Sequence, residues 1–477
     1  IFLDPTPDCE LSFIERERLF KLPRSSWDDY NKDLISEGGG LFLRSAKKIP
    51  ITAEVQKMLG IEATSLPPNE LIRAMLKAQV ELLWNGGIGT YVKASDQQHL
   101  DVGDRANEAV RINGKELRCK VVAEGGNLGL TQLGRIEYAR NKGRIFTDAI
   151  DNSAGVDCSD HEVNIKILLN AVIYANQITQ PQRIQLLAQM TDEVAALVLK
   201  NNYQQTKTLT LASSQSQRMI EVHARLIRAL EQRGALNRVI EYLPSEDMLL
   251  ERMNQGEGLS LPELSVLLAY VKIDLYDRLI STDLPEELYL ESVLVNYFPT
   301  PLRGTYPLAM NNHRLRREII ITELTNGMVN RAGITFAYRM SEETAASPAE
   351  IARAYIIIRE IFGLAGLWDE IEALDGQVDS EIQQSVYFDS RKLLERAVRW
   401  IIQNRPSPLS IDQNVERYMS MMQYLSTILV TRIDQQQHKN AQAKTMRLVK
   451  AGVPESLAIR VATFDALSFG MELVETA

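Results

Sequence analysis

The sequence predicts an α/β region followed by an all-α one, and three observations carry that prediction. Short apolar runs alternate with helical patterns up to about residue 170, as in a parallel sheet with crossover helices. Two of those runs lead into stretches that pair glycine with an amide side chain: Ala123-Glu124-Gly125-Gly126-Asn127 and Asn152-Ser153-Ala154-Gly155-Val156-Asp157-Cys158-Ser159. Beyond residue 170 the strand signals fade, and capped helices with apolar periodicity repeat.

Each element has its own reason. Ile1-Phe2-Leu3-Asp4 reads as a strand ending in an acid. Segment 22–66 is irregular and glycine-bearing, either a loop over a ligand or a surface connection. Pro68 to Ala78 reads as a helix, with Leu71, Ile72, Met75 and Leu76 on one face. Further strands are expected at 80–84, 118–124 and 144–149, with a helix over Arg105 to Val110. Another helix is expected from about Asp160. Glycine at the carboxyl end of a strand lets a ligand approach the backbone, and open α/β sheets bind ligands there.

In the second region, Ser347-Pro348-Ala349-Glu350 carries an N-cap serine, proline at the first helical position and glutamate at the third. Ser260-Leu261-Pro262-Glu263 and Asp283-Leu284-Pro285-Glu286 repeat that spacing. Ile319-Ile320-Ile321 and Tyr355-Ile356-Ile357-Ile358 are too apolar for a solvated face and belong inside a bundle. Charged residues such as Arg316, Arg317 and Glu323 are expected on solvated faces or helix–helix contacts. Pro406 and Pro408 break the pattern before a long helix or helix pair over about 411–451. No fixed-period repeat is evident. The expected domains are therefore 1–170 and 171–477.

Composition narrows the function. Among 477 residues, 45% are hydrophobic and 24% charged, ordinary for a globular protein. The net charge of −9 argues against a nucleic-acid surface and a polybasic membrane anchor. Charge interrupts each apolar stretch before spanning length, so no transmembrane helix is expected. The three cysteines, Cys9, Cys119 and Cys158, are scattered and odd in number, which fits a reducing cytoplasm. Cys158 is expected to be a small, half-buried side chain rather than a nucleophile. The five histidines have no ligand spacing, so no metal is expected.

The motifs resemble a family. Ala-Glu-Gly-Gly-Asn at 123–127 and Asn-x-x-Gly-Val-x-x-Ser at 152–159 are similar to coenzyme-domain signatures of glutamate dehydrogenases. Leu82-Leu83-Trp84-Asn85-Gly86-Gly87-Ile88-Gly89-Thr90-Tyr91 narrows the resemblance to the large single-chain bacterial NAD-specific enzymes. Arg24-Ser25-Ser26-Trp27-Asp28-Asp29-Tyr30 and Ser36-Glu37-Gly38-Gly39-Gly40 do the same. It is densest over residues 1–170 and continues, for example, through Leu259-Ser260-Leu261-Pro262-Glu263-Leu264.

The resemblance implies an incomplete Rossmann-like dinucleotide-binding domain followed by a large helical-bundle domain. No G-x-G-x-x-G occurs, and the acid that binds an adenosine ribose normally ends the second strand, about 20 residues past that turn. With Asp4 in that role, the sequence reads as starting after the first strand-turn-helix; otherwise Asp4 is a solvated terminal residue. On the former reading the chain alone is expected to bind NAD very weakly and to show no glutamate dehydrogenase activity. The family's catalytic lysine and aspartate lie in a preceding domain and have no matching positions here, so no acid–base residue is assigned.

The implied reaction is oxidative deamination of L-glutamate to 2-oxoglutarate and ammonia, with hydride transfer to NAD, by a cytoplasmic homo-oligomer in its full-length form. The implied cofactor-binding residues are Asp4, Asn85, Gly86, Gly125, Gly126, Asn127 and Asn152. An amide offers both donor and acceptor without charging the site; the plain alternative for each asparagine is a turn residue. Val156 and Ser159 fall where the family contacts the substrate side chain and its distal carboxylate. Ser159 could instead cap a helix from Asp160, with Glu162 completing a capping box. Asp157, Asp160 and His161 depart from the usual pattern around it. Two other functions stay open: a dehydrogenase for leucine or phenylalanine, and a non-catalytic helical assembly module with a vestigial nucleotide fold.

Overall fold

A computed structural model describes residues 1–432 and 435–476. It divides into two compact units. The first comprises Ile1–Ala154, Val239–Leu243 and Leu259–Val266; the second comprises Gly155–Arg238, Pro244–Gly258 and Leu267–Ala477.

The first unit holds eight short strands in four two-stranded sheets. β1 (Phe2–Leu3) pairs antiparallel with β2 (Gly40–Leu41), and β3 (Ile49–Pro50) antiparallel with β4 (Ser65–Leu66). β5 (Leu82–Asn85) and β8 (Val121–Glu124) run parallel, from Leu82 opposite Val121 to Asn85 opposite Glu124. β6 (Val92–Lys93) and β7 (Ile112–Asn113) form the other parallel pair.

The parallel pairing of the expected strands at 80–84 and 118–124 is present. The expected strand at 144–149 is not: Arg144 makes one parallel bridge to Val121, and Asp148–Asp151 is a helical turn. Thr147-Asp148 supplies the polar start of that turn, where the Asp148 carboxylate accepts from the Ala149 N–H. The helix Pro68–Leu76 forms as its pattern requires, with proline in the first turn and Leu71 fully buried. Arg105 to Val110 yields only the 3-10 turn Arg105–Asn107.

Two apolar clusters hold this unit. Leu3, Ile49, Ile51, Val55, Leu59 and Leu71 form one. Val92, Ile112, Val122, Leu130, Tyr138 and Ile145 form the other, which includes Val122 of β8.

The second unit is built of helices. Ser347 caps Pro348–Ile361, its hydroxyl accepting from the Glu350 N–H, and Ile356, Ile357 and Ile358 are fully buried. Ile319, Ile320 and Ile321 are also buried. At Asp283 the expected helix is a single 3-10 turn, Leu284–Glu286. Asp283 makes no cap bond there and instead pairs with Arg353 at 2.9 Å. The prolines separate Ser380–Asn404 from Ile411–Arg432, which is followed by Gln435–Lys450; residues 433–434 of the expected pair lie outside the described residues. Arg316 and Arg317 make the expected helix contact through Glu286. Glu323 likewise faces another helix, where it interacts with Lys272: burial pushes its carboxyl up to about 7 and pulls that lysine down to about 7.

The helix Ser153–Tyr174 runs unbroken through residue 170, so the change in composition falls inside it. No described helix is long and apolar enough to cross a membrane.

Candidate functional site

The parallel register of β5 and β8 brings their two glycine loops side by side. Asn85 ends β5, and its carbonyl accepts from the N–H groups of Gly125 (2.8 Å) and Gly126 (3.2 Å) just beyond β8. Space requires glycine at 126, where a Cβ would sit 2.9 Å from the Gly87 carbonyl oxygen; a Cβ on Gly125 would sit 3.1 Å from the exposed Trp84 ring, which would have to give slightly. The Asn85 side chain accepts weakly from the Gly87 N–H at 3.4 Å.

The second amide stretch reaches the same place. Asn152 Nδ2 donates to Asn127 Oδ1 at 2.6 Å. This bond fixes both amides, leaving Asn127 Nδ2 as a donor and Asn152 Oδ1 as an acceptor.

A polar cluster that the motif reading did not single out holds these loops. Glu124 is fully buried and takes a bidentate ion pair from Arg135 at 2.7 and 2.9 Å. Arg135 also lies 3.3 Å from Asp148. The Asp148 carboxylate accepts from the Leu128 N–H at 2.8 Å, and Asp151 accepts from the Glu124 N–H at 2.9 Å. Burial pushes the Asp151 carboxyl up to about 6, against the lowering effect of that N–H. Burial also pushes Glu124 up, with the guanidinium opposing it. A signal for Glu124 was present: strand alternation puts it on the same buried face as Val122, and a buried acid needs a cation.

Asp4 follows β1, where its Oδ1 accepts from the Ser36 N–H at 3.0 Å and from the Ser36 hydroxyl. Ser36 belongs to the Ser-Glu-Gly-Gly-Gly stretch singled out above. Asp4 Oδ2 is buried and has no hydrogen-bond partner among the described residues. An orphaned, buried carboxylate oxygen is a ready acceptor for a ligand hydroxyl.

Ser159 is not a helix cap. The helix starts at Ser153, so Ser159 lies within it, and Glu162 pairs with Lys166 instead of closing a box. One glycine, Gly155, costs only about 1 kcal/mol in a helix, and this helix buries Ile165, Leu168, Leu169 and Val172. Ser159 and Val156 are exposed, as is Cys158, which was expected to be half-buried. Asp157 and His161 make their contacts within the helical unit, to which they belong. Asp157 accepts from Asn201 at 2.8 Å, and His161 stacks on Tyr297 with ring centroids 4.5 Å apart.

Residues 1–212 match the family model described as bacterial NAD-glutamate dehydrogenase, catalytic domain. Residues 256–477 match that of glutamate dehydrogenase, C-terminal. The chain belongs to the bacterial NAD-glutamate dehydrogenase family. It is 48% identical over all 477 residues to the NAD-specific glutamate dehydrogenase of Halomonas elongata, covering 30% of that protein. It is 48% identical to that of Pseudomonas aeruginosa, covering 29%. With that of Mycobacterium tuberculosis it shares 44% identity over 469 residues, 97% of this chain and 29% of the relative. The chain thus spans under a third of the length of these glutamate dehydrogenases.

Proposed function

We propose that this chain supplies the coenzyme side of an NAD-dependent glutamate dehydrogenase, which oxidises L-glutamate to 2-oxoglutarate and ammonia. The observation that carries the reading is the Asn152–Asn127 bond beside the glycine loops of two parallel strands. A nicotinamide carboxamide has one donor group and one acceptor, and the amide pair offers the complementary acceptor and donor. NAD would accept a hydride at its nicotinamide ring; this chain's part is to hold and orient it. The pair would hold the carboxamide or the adjoining ribose. Asn85, Gly86, Gly125 and Gly126 would form the floor, and Asp4 Oδ2 would accept from the adenosine ribose. On this reading residues 1–170 are the coenzyme part and 171–477 the helical part, in a cytoplasmic homo-oligomer.

Cofactor choice tests the Asp4 assignment. A carboxylate accepts a ribose hydroxyl bond, worth about 1.5–3 kcal/mol for a charged acceptor, but meets a 2′-phosphate as a like charge. In the intact enzyme, Asp4→Ser is expected to raise the NADP/NAD ratio of kcat/KM by about 10- to 100-fold. An unchanged ratio would remove Asp4 as the selector.

Glutamate dependence tests Ser159. Because it sits inside a helix and is exposed, Ser159→Ala is expected to change stability by less than about 0.5 kcal/mol. A lost carboxylate bond weakens ground and transition states alike, so KM for glutamate should rise about 10-fold with kcat nearly constant. An unaltered KM would strike Ser159 from the substrate site.

A further inference from the structure

We propose that the helical unit contains a binding site for a small anion bearing phosphate or paired carboxylates, centred on Arg391, Lys392 and His223. This site is independent of the coenzyme reading. The cavity holds about 190 Å³. That is room for about six waters at 30 Å³ each and is below the roughly 300–1,000 Å³ of drug-sized pockets. It suits an ion of phosphate or succinate size.

The charge in the wall is unbalanced. Arg339, Arg391 and Lys392 line the cavity against one carboxylate, Glu395. Glu395 is already committed to Arg339, at 3.0 Å for one of two contacts. Arg391 is buried, yet its recorded bonds go to neutral carbonyls: Nε to Arg331 O at 2.8 Å and Nη2 to Asn330 O at 3.4 Å. Burial pulls this guanidinium down to about 10; Glu395 and Tyr387 oppose that shift, and Arg331 and Arg339 add to it. A buried guanidinium with no carboxylate bonded to it among the described residues is costly, and a bidentate anion is the partner that guanidinium geometry favours.

Three further features shape the site for an anion. Gly333, at φ +106°, lets the backbone pass beside Arg391; a Cβ there would sit 3.2 Å from Nη1 and crowd that face. Gly333, Ile334 and Thr335 then lead into the helix Phe336–Thr344, whose start carries partial positive charge. His223 is 2% exposed and its Nδ1 has no hydrogen-bond partner among the described residues. Burial pulls this imidazole down to about 4, so it is neutral near pH 7 and can donate or accept one bond.

The alternative is that Arg391 only ties off the carbonyls at the end of Arg316–Ala332. Titration calorimetry on this chain at fixed ionic strength, with inorganic phosphate in one arm and succinate in the other, separates the two. Saturable binding with Kd at or below about 1 mM is expected in at least one arm, and the arm that binds identifies the headgroup. Lys392→Glu, on an exposed side chain at the rim, should weaken binding at least tenfold, and Arg391→Gln should abolish it. Should Arg391→Gln fail to fold, Lys392→Glu decides. Ser159→Ala should leave the affinity unchanged. No saturable binding in either arm, full affinity in Lys392→Glu, or loss of binding in Ser159→Ala would each overturn the proposal.

Discussion

Replacing Arg135 with methionine is expected to lower the stability of the strand-end cluster by about 3–5 kcal/mol at pH 7.5, the usual loss when one partner of a buried ion pair is removed. Glu124 has no solvent exposure, and Arg135 is its bidentate partner. Without the guanidinium, the Leu130 N–H, at 3.3 Å, is the one donor left to the Glu124 carboxylate among the described residues. The pH dependence has a definite sign. Burial already pushes Glu124 up, and losing the cation pushes it further. The folded state then binds a proton more readily than the unfolded state, whose carboxyl titrates near 4.3. Stability is therefore greatest below that value and falls as pH rises through the folded pKa. The deficit in Arg135→Met should shrink between pH 7.5 and pH 5. Adding Glu124→Gln should recover most of it at pH 7.5, because an amide still accepts from Leu130 without a charge. Amide exchange of Val121–Glu124 measures this locally. A pH-independent loss, or no loss, would mean that the pair does not hold the loop.

The sequence showed what repeats and what ends. Caps such as Ser347-x-x-Glu350 were legible because the hydroxyl, the proline and the apolar run are all local. The strand ends at Asn85 and Glu124 were legible for the same reason: glycine follows an apolar run. Sheet assembly was not legible, because pairing partners are set by tertiary contact. Phe2–Leu3 joins Gly40–Leu41 antiparallel, across a segment whose pattern is irregular. Ser159 misled because a Ser-x-x-Glu spacing marks a cap only where the helix begins. The buried face from Ile165 onward carried the helix back through Gly155 to Ser153. Arg135 was invisible as a site residue because nothing in its own helix distinguishes it. Only the burial of Glu124, eleven positions earlier, requires a cation there.

Breaking the amide pair should cost the cofactor far more than the fold. Asn152 follows the turn Asp148–Asp151 and precedes the helix Ser153–Tyr174, and its backbone N–H is bonded to Asp148 O at 2.8 Å. Asn152→Ala leaves that bond in place, so stability should change by less than about 1 kcal/mol. Nδ2 of this side chain holds Asn127 Oδ1, and on the proposed reading Oδ1 would accept from the cofactor. Its loss would remove that proposed cofactor bond and free the second amide to rotate, so that Asn127 Nδ2 would no longer be held as a donor. Two neutral bonds of about 0.5–1.5 kcal/mol each amount to about 10- to 100-fold in kcat/KM for NAD in the intact enzyme. Asn127→Ala should cost a similar amount. The double variant should cost less than the sum, since each single change already disables both amides. Strict additivity in this cycle would show that the two asparagines act separately. A fall of less than about threefold in both single variants would place the nicotinamide elsewhere.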